Sequence, residues 1–123
     1  MSAADDFRAG VEGRDIEAAF AALADDVVLH SPVTFKPFEG KPVVEHVLRN
    51  VFEVFQDFRY IEHFREGASS ILLFKASVGD REIDGIDLVH EGADGLIDDF
   101  TVMVRPLSGL TALAEEMQRR LAP

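Results

Sequence analysis

The stretch Arg81-Glu-Ile-Asp-Gly-Ile-Asp-Leu-Val-His90, the connection Glu91-Gly-Ala-Asp-Gly95, and then Leu96-Ile-Asp-Asp-Phe-Thr-Val-Met-Val-Arg-Pro106 decide the fold. Apolar residues alternate on both sides of a short glycine-bounded connection. That pattern predicts two strands joined by a tight turn. Successive side chains of a strand point to opposite faces, so Ile83, Gly85, Asp87 and Val89 share one. Asp87 therefore keeps apolar company. Such a carboxylate is either exposed on the other face or held in an apolar site.

Working outward, Phe58 to Phe64 also alternates, Ile71 to Val78 reads as a further strand, and Gly67-Ala-Ser69 and Gly79-Asp80 supply turns. Four consecutive strands with short turns imply an antiparallel meander. Upstream, Val44, Val47, Leu48, Val51, Phe52 and Phe55 recur at helical spacing, with Pro42 in the first turn, and predict a long third helix. Val27 to His30 reads as a short strand closed by Ser31-Pro32. Asp15 can cap a second helix carrying Ile16, Ala19, Phe20 and Leu23 on one side. Phe7 and Val11 mark a first helix over Ala3 to Glu12, broken by Gly13. Downstream, Pro106 stops the last strand and Ser108 can cap a final helix with Leu110, Leu113, Met117 and Leu121 on one face. The order is α-α-β-α-β-β-β-β-α, an α+β domain with helices gathered on one side of an antiparallel sheet.

A chain of 123 residues fits one domain, and 47% hydrophobic residues suffice for a core. Ten Phe against one Tyr and no Trp predict an interior short of hydroxyls. Twelve basic against 23 acidic residues give a formal charge of −11, which argues against nucleic acid and anionic membrane surfaces as partners. Without Cys there is no disulfide framework and no thiolate nucleophile. The opening Met-Ser-Ala-Ala-Asp-Asp lacks the basic and apolar regions of a signal peptide, and no apolar run approaches ~20 residues, so the cytoplasm is the expected location.

Two stretches carry a family resemblance. Asp15-Ile-Glu-Ala18 with Ala24-Asp-Asp-Val-Val-Leu-His-Ser-Pro32 resembles the helix-then-strand opening of the ketosteroid isomerase and SnoaL-like families. Asp84-Gly-Ile-Asp87, ahead of Gly95-Leu-Ile97, resembles their penultimate strand. Both families share the nuclear transport factor 2-like, or cystatin-like, cone. The resemblance covers most of the chain and implies one SnoaL-like domain over residues 1–123, with a bent sheet wrapped on the third helix around an apolar cavity. It puts Asp87 on the isomerase's oxyanion-hole acid, a carboxyl kept protonated by an apolar site. Ser31 falls where the isomerase has its proton-shuttling Asp, Phe7 where it has its donor Tyr, and Leu23 and Leu48 on the supporting tyrosines. The base and the tyrosine network are thus missing by this alignment. The late acid of the cyclases, expected near Val104-Arg105, is absent, and the Arg-Asp-Asp set of the limonene epoxide hydrolase relatives is not clearly matched.

Asp87 is the leading catalytic candidate: burial would raise its pKa and let it donate to a ligand carbonyl. His30 and Ser31 close the first strand, and only one of them can look inward. The resemblance favours Ser31, and side-chain reach favours His30. His46 reads as a surface residue; His63 and His90 lie on strands. Phe7, Phe35, Phe38 and Phe58 are expected at the cavity mouth, and Phe52, Phe55, Phe74, Ile83, Phe100, Val102 and Val104 complete the expected ligand lining. No histidine pair has metal-ligand spacing, so neither metal nor cofactor is expected. Asp98 and Asp99 should point to opposite faces, and Arg105 should form a surface salt bridge. The other sheet face carries Ile61, Ile71, Leu73, Ile86 and Leu88, which a soluble monomer rarely leaves bare, so a homodimer is expected. The expected function is binding of a small apolar carbonyl compound, with isomerase, cyclase or dehydratase chemistry if catalytic. The alternative is a non-catalytic binding or assembly module that has lost its catalytic set.

Overall fold

The computed structural model describes residues 2–122. Helix α1 (Ala3–Glu12) starts at a capping box: the Ser2 side chain accepts from the Asp5 amide, and Asp5 reaches back to the Ser2 amide. Helix α2 (Ile16–Phe20) follows, capped by Asp15. Strand β1 (Leu23–His30) leads through a loop to the two-residue strand β2 (Phe38–Glu39). Helix α3 (Lys41–Val54) precedes strands β3 (Gln56–Glu66), β4 (Ser69–Val78), β5 (Arg81–Glu91) and β6 (Ile97–Arg105). Helix α4 (Leu107–Leu121) ends the described chain.

The sheet runs β2-β1-β6-β5-β4-β3. The meander β3 to β6 is antiparallel throughout, while β1 lies parallel to β6 and β2 antiparallel to β1. The sheet is curved and unclosed. Register shifts at Leu23/Val28, Gln56/Arg59, Tyr60/Glu62 and His90/Glu91 are irregularities that let it bend. The α+β cone expected from the sequence is thus the fold, with four local differences. A short β2 pairs with β1, the sheet has one parallel pair, Leu23 belongs to β1 rather than to α2, and α4 begins at Leu107 behind Pro106, so Ser108 lies inside the helix and does not cap it. The Ile97 amide bonds to the Ala22 carbonyl, and Leu23 pairs with Ile97, both fully buried. That pairing draws the chain out of the helix before its apolar stripe is used up, since tertiary contacts override helix propensity.

The concave face fills with side chains at alternate positions. On β5 these are Ile83, Gly85, Asp87 and Val89; on β4, Ser70, Leu72, Phe74, Ala76 and Val78. Phe7, Phe20, Phe74 and Phe100 are fully buried. An aromatic chain joins α1, α3 and the sheet: Phe100 meets Phe7 at 5.1 Å, Phe7 meets Phe52 at 6.4 Å, and Phe52 meets Phe58 at 5.4 Å between ring centroids. Gly85 makes room for one ring of it, because a Cβ there would lie 2.2 Å from Phe74 Cζ. Helix α4 packs on α3 and on β4, β5 and β6, burying Leu113 and Met117.

On the outer face, Leu73, Ile86 and Met103 stand side by side across β4, β5 and β6, and Phe64, Ile71 and Leu88 form the next row across β3, β4 and β5. Phe64 and Met103 are more than half exposed.

Candidate functional site

Asp87 is 4% exposed and points into the cone. The alternation of β5 places it there: its neighbours Ile86 and Leu88 face out, and its ladder partners are Leu72 on β4 and Val102 on β6. The Tyr60 hydroxyl, reaching from β3 across β4, donates to Asp87 Oδ2 over 2.7 Å. No other hydrogen bond to this carboxyl occurs among the described residues, so Oδ1 is free to meet a ligand. Burial pushes the carboxyl up to about 7, against the lowering effect of the Tyr60 hydrogen bond. Burial, and then the Asp87 charge, push the Tyr60 hydroxyl well above its ordinary value. With this titration the neutral, donating form and the ionised form are both well populated near neutral pH.

Tyr60 escaped the sequence reading, which aligned the supporting tyrosines with Leu23 and Leu48. Both of those are buried apolar core. The available signal was that the chain's one Tyr lies two residues after Phe58, on the same face of an alternating strand. What alternation cannot give is the reach of a phenol across an intervening strand.

Next to this pair lies a narrow apolar pocket of about 50 Å³. Its floor is Leu29 and Val102 of the sheet; α3 gives Val47, Leu48, Val51 and the adjoining Phe55; α4 gives Leu113, Met117 and Leu121. Ser31, Pro32, Val33 and Phe38 form its rim. The lining holds no titratable side chain, and Ser31 supplies its one hydroxyl. Ser31 Oγ accepts the Val33 amide at 3.1 Å, which leaves its own proton to donate.

Of the two strand-end candidates, Ser31 therefore meets the pocket. His30 does not: its Nε2 lies 2.9 Å from Asp99 Oδ1 on the outer surface, 40% exposed. The parity of β1 decides this, since Leu29 faces in and His30 must face out. The expected mouth residues also separate. Phe7 is fully buried between Phe52 and Phe100, and Phe35 is fully exposed on the loop between β1 and β2, bordering an outer groove of about 590 Å³ with Thr101 and Val104. Phe38 stays at the pocket rim, and Phe58 lies in the aromatic chain 4.9 Å from Tyr60. Phe55 and Val102 line the pocket. Phe52 is half-buried, and Phe74, Ile83 and Phe100 are core.

Asp98 and Asp99 share one shallow outer groove with Asp26, His30 and His90, contrary to the expected opposite faces, because the bulge at His90/Glu91 breaks the alternation. Arg105 bonds Asp84 at 2.7 Å, the expected surface pair, and Lys75 bonds the same carboxylate at 2.7 Å; Lys75 first and Arg105 next hold Asp84 below its ordinary value. His63 faces the interior: its Nδ1 lies 3.7 Å from Asp5 Oδ1, and its Nε2 is buried without a hydrogen-bond partner among the described residues. Among the described residues no group of three His, Asp or Glu is placed to hold a metal ion, and no helix is long and apolar enough to cross a membrane.

A bent sheet wrapped on a helix, with one buried acid turned inward, defines the class of cone-shaped α+β proteins. Solved structures narrow the class. A steroid delta-isomerase from Pseudomonas aeruginosa is 44% identical, matches over 98% of this chain and 89% of its own, and superposes with a TM-score of 0.91. A cystatin-like protein conserved in bacteria, from Silicibacter pomeroyi, is 34% identical over 96% and 84% of the two chains, with a TM-score of 0.90. A nuclear transport factor 2-like protein from Cytophaga hutchinsonii, at 19% identity over 85% and 88%, shares the fold with a TM-score of 0.65. No protein-family model and no curated protein matches the chain. The chain belongs to the nuclear transport factor 2-like, ketosteroid isomerase-like superfamily.

Proposed function

We propose that the protein binds a small neutral hydrophobic carbonyl compound inside the cone and isomerises it by proton transfer, with Asp87 as the polarising hydrogen-bond donor. The observation that carries this reading is the buried Asp87 carboxyl, held by Tyr60 at 2.7 Å with its second oxygen free. A protonated Asp87 donates to the ligand carbonyl and stabilises the charge that grows on that oxygen while a water molecule takes the proton from the adjacent C–H and gives it back at another carbon. Proton loss and return at another carbon leave the composition unchanged, which is isomerase chemistry. The steroid delta-isomerase that matches at 44% identity supports the same class. The reaction needs no cofactor, because a hydrogen bond suffices to polarise a carbonyl. The acidic chain is proposed to work in the cytoplasm.

The absence of any titratable side chain in the pocket lining favours a second reading, a binding module without turnover. One experiment separates the two. A β,γ-unsaturated cyclic ketone is incubated with the protein in deuterated buffer, and conjugation is followed by ultraviolet absorbance and proton exchange by NMR. Conversion above buffer that drops at least ~100-fold in Asp87→Asn supports catalysis, in the range one oxyanion donor contributes. Saturable binding with conversion at the buffer rate supports the second reading.

We also propose a homodimer through the outer face. The rows Leu73-Ile86-Met103 and Phe64-Ile71-Leu88 form a contiguous apolar surface, and a second copy of the same surface would cover it.

A further inference from the structure

We propose that two copies of the chain pack outer face on outer face about a two-fold axis that runs across the strands, between the rows Leu73-Ile86-Met103 and Phe64-Ile71-Leu88, so that the basic end of each face lies over the acidic end of the other. This rests on the outer-face homodimer proposed above and adds its orientation and the ion pairs that set it.

The ladders set the outward side chains of this face in rows. Arg59, Lys75, Asp84 and Arg105 stand side by side across β3, β4, β5 and β6. That end carries three bases against one acid, and Glu82, one step farther out, still leaves it basic. The two apolar rows follow. Beyond them Glu66, Ser69, His90 and Asp99 form the last row, where Asp26 and Asp98 share a groove with Asp99, His30 and His90. Four acids stand at this end, and neither the row nor the groove holds a Lys or Arg. Three steps of two residues separate the ends by roughly 20 Å, about twice the screening length at physiological salt. Each end therefore answers to whatever lies directly over it.

A face divided in this way is its own complement in one orientation. Two chains of formal charge −11 repel at long range, and like ends laid together would add to that. A two-fold axis along the strands through β5 does so: Asp84 would meet the partner's Asp84, and Lys75 the partner's Arg105. An axis across the strands reverses the order of the rows and keeps each strand over its own copy. Arg59 then lies over the partner's Glu66, Asp84 over the partner's His90 and Arg105 over the partner's Asp99. Between them Leu73 covers the partner's Ile71, and Ile86 the partner's Leu88. Each contact occurs twice, as two-fold symmetry requires. Arg105 bonds Asp84 and Asp99 bonds His30 in their own chain, yet they stay 72% and 52% exposed and can take a second partner. Packed sheets lie about 10 Å apart, a gap that two long facing side chains span. Complementary charges of this kind fix register more than they add affinity.

Charge reversal in the full chain, followed by sedimentation, tests the register. Arg59→Glu with Arg105→Glu reverses the basic end, and Glu66→Arg with Asp99→Arg the acidic end. Either variant turns four attractions into repulsions and should weaken the dimer at least tenfold. An equal mixture of the two variants should regain it, and so should one chain carrying all four substitutions, because opposite charges face each other again. Reversals that leave the dissociation constant unchanged, or losses that neither combination regains, overturn the register and leave the outer-face dimer standing. A wild type that is monomeric at micromolar concentration overturns both.

A second measurement keeps every proposed ion pair in place and decides the matter even if a reversed chain fails to fold. The chain has no Cys, so Ser69→Cys and Lys75→Cys copies each take a single nitroxide label. In the proposed orientation Ser69 lies over the partner's Lys75. The equal mixture should therefore show spin–spin broadening that neither copy shows alone. Broadening in either single-label dimer, or none in the mixture, overturns the register.

Discussion

Asp87 and Val102 stand opposite each other across the β5–β6 ladder, yet only Val102 lines the pocket. The carboxyl is turned toward Tyr60, one strand beyond its other ladder partner, Leu72. A ladder pair thus divides the interior into a polar corner and an apolar pocket that share a wall.

Asp87 should impose a pH dependence on stability. Its carboxyl rises from 3.8 to about 7 on folding, so between those values the folded chain holds a proton that the unfolded chain has lost. Stability on this group's account therefore falls as pH rises from about 4 to 7 and is flat above. Three pKa units correspond to on the order of 4 kcal/mol. Asp87→Asn, which keeps the Tyr60 hydrogen bond and carries no charge, should flatten this slope in urea unfolding series at pH 4.5 and 7.5. An unchanged slope would falsify the buried titration.

Tyr60→Phe removes the one hydrogen bond that favours the ionised form of Asp87. The Asp87 titration should then move above 7, read from its carboxyl carbon shift. Stability should drop by about 1–3 kcal/mol, the cost of leaving a buried polar partner unpaired. A downward move of the titration would mean that water, rather than Tyr60, solvates the acid.

Gly85→Ala tests the packing that flanks the acid. The new methyl would meet the Phe74 ring at 2.2 Å, a contact that forces the ring to move. A cost of about 1–3 kcal/mol is expected for such overpacking. Phe74→Leu in the same chain should recover part of it, giving a coupling measurable by a double-mutant cycle. Additive effects would show that the two side chains do not compete for the space.

Sedimentation should find a dimer at micromolar concentration. Ile71→Lys with Met103→Lys places two charges on the apolar rows of the outer face and should leave a folded monomer with unchanged circular dichroism. A monomeric wild type, or a charged variant that still dimerises, rules out this face.

His30→Ala should change neither the Asp87 titration nor ligand affinity, because His30 pairs with Asp99 outside the cone. Surface pairs of this exposure are worth at most about 1 kcal/mol. A tenfold loss of affinity would return His30 to the site.

The alternation of β5 was sufficient, read from the chain alone, to put Asp87 on one face with Ile83 and Val89, because a strand's period of two admits no other arrangement. Likewise the helical spacing of Val44 to Phe55 fixed α3, and the short turns fixed the meander. These are local rules, and each needs only residues within one element. The tertiary structure alone decided that Leu23 leaves its helix to pair with Ile97, that Phe35 faces solvent while Phe7 is core, and that Ser31 rather than His30 meets the pocket. It alone brought Tyr60, 27 residues away in sequence, within 2.7 Å of the buried acid. Sheet curvature and ladder register set those distances, and both arise from bulges and long-range pairing that no single stretch encodes.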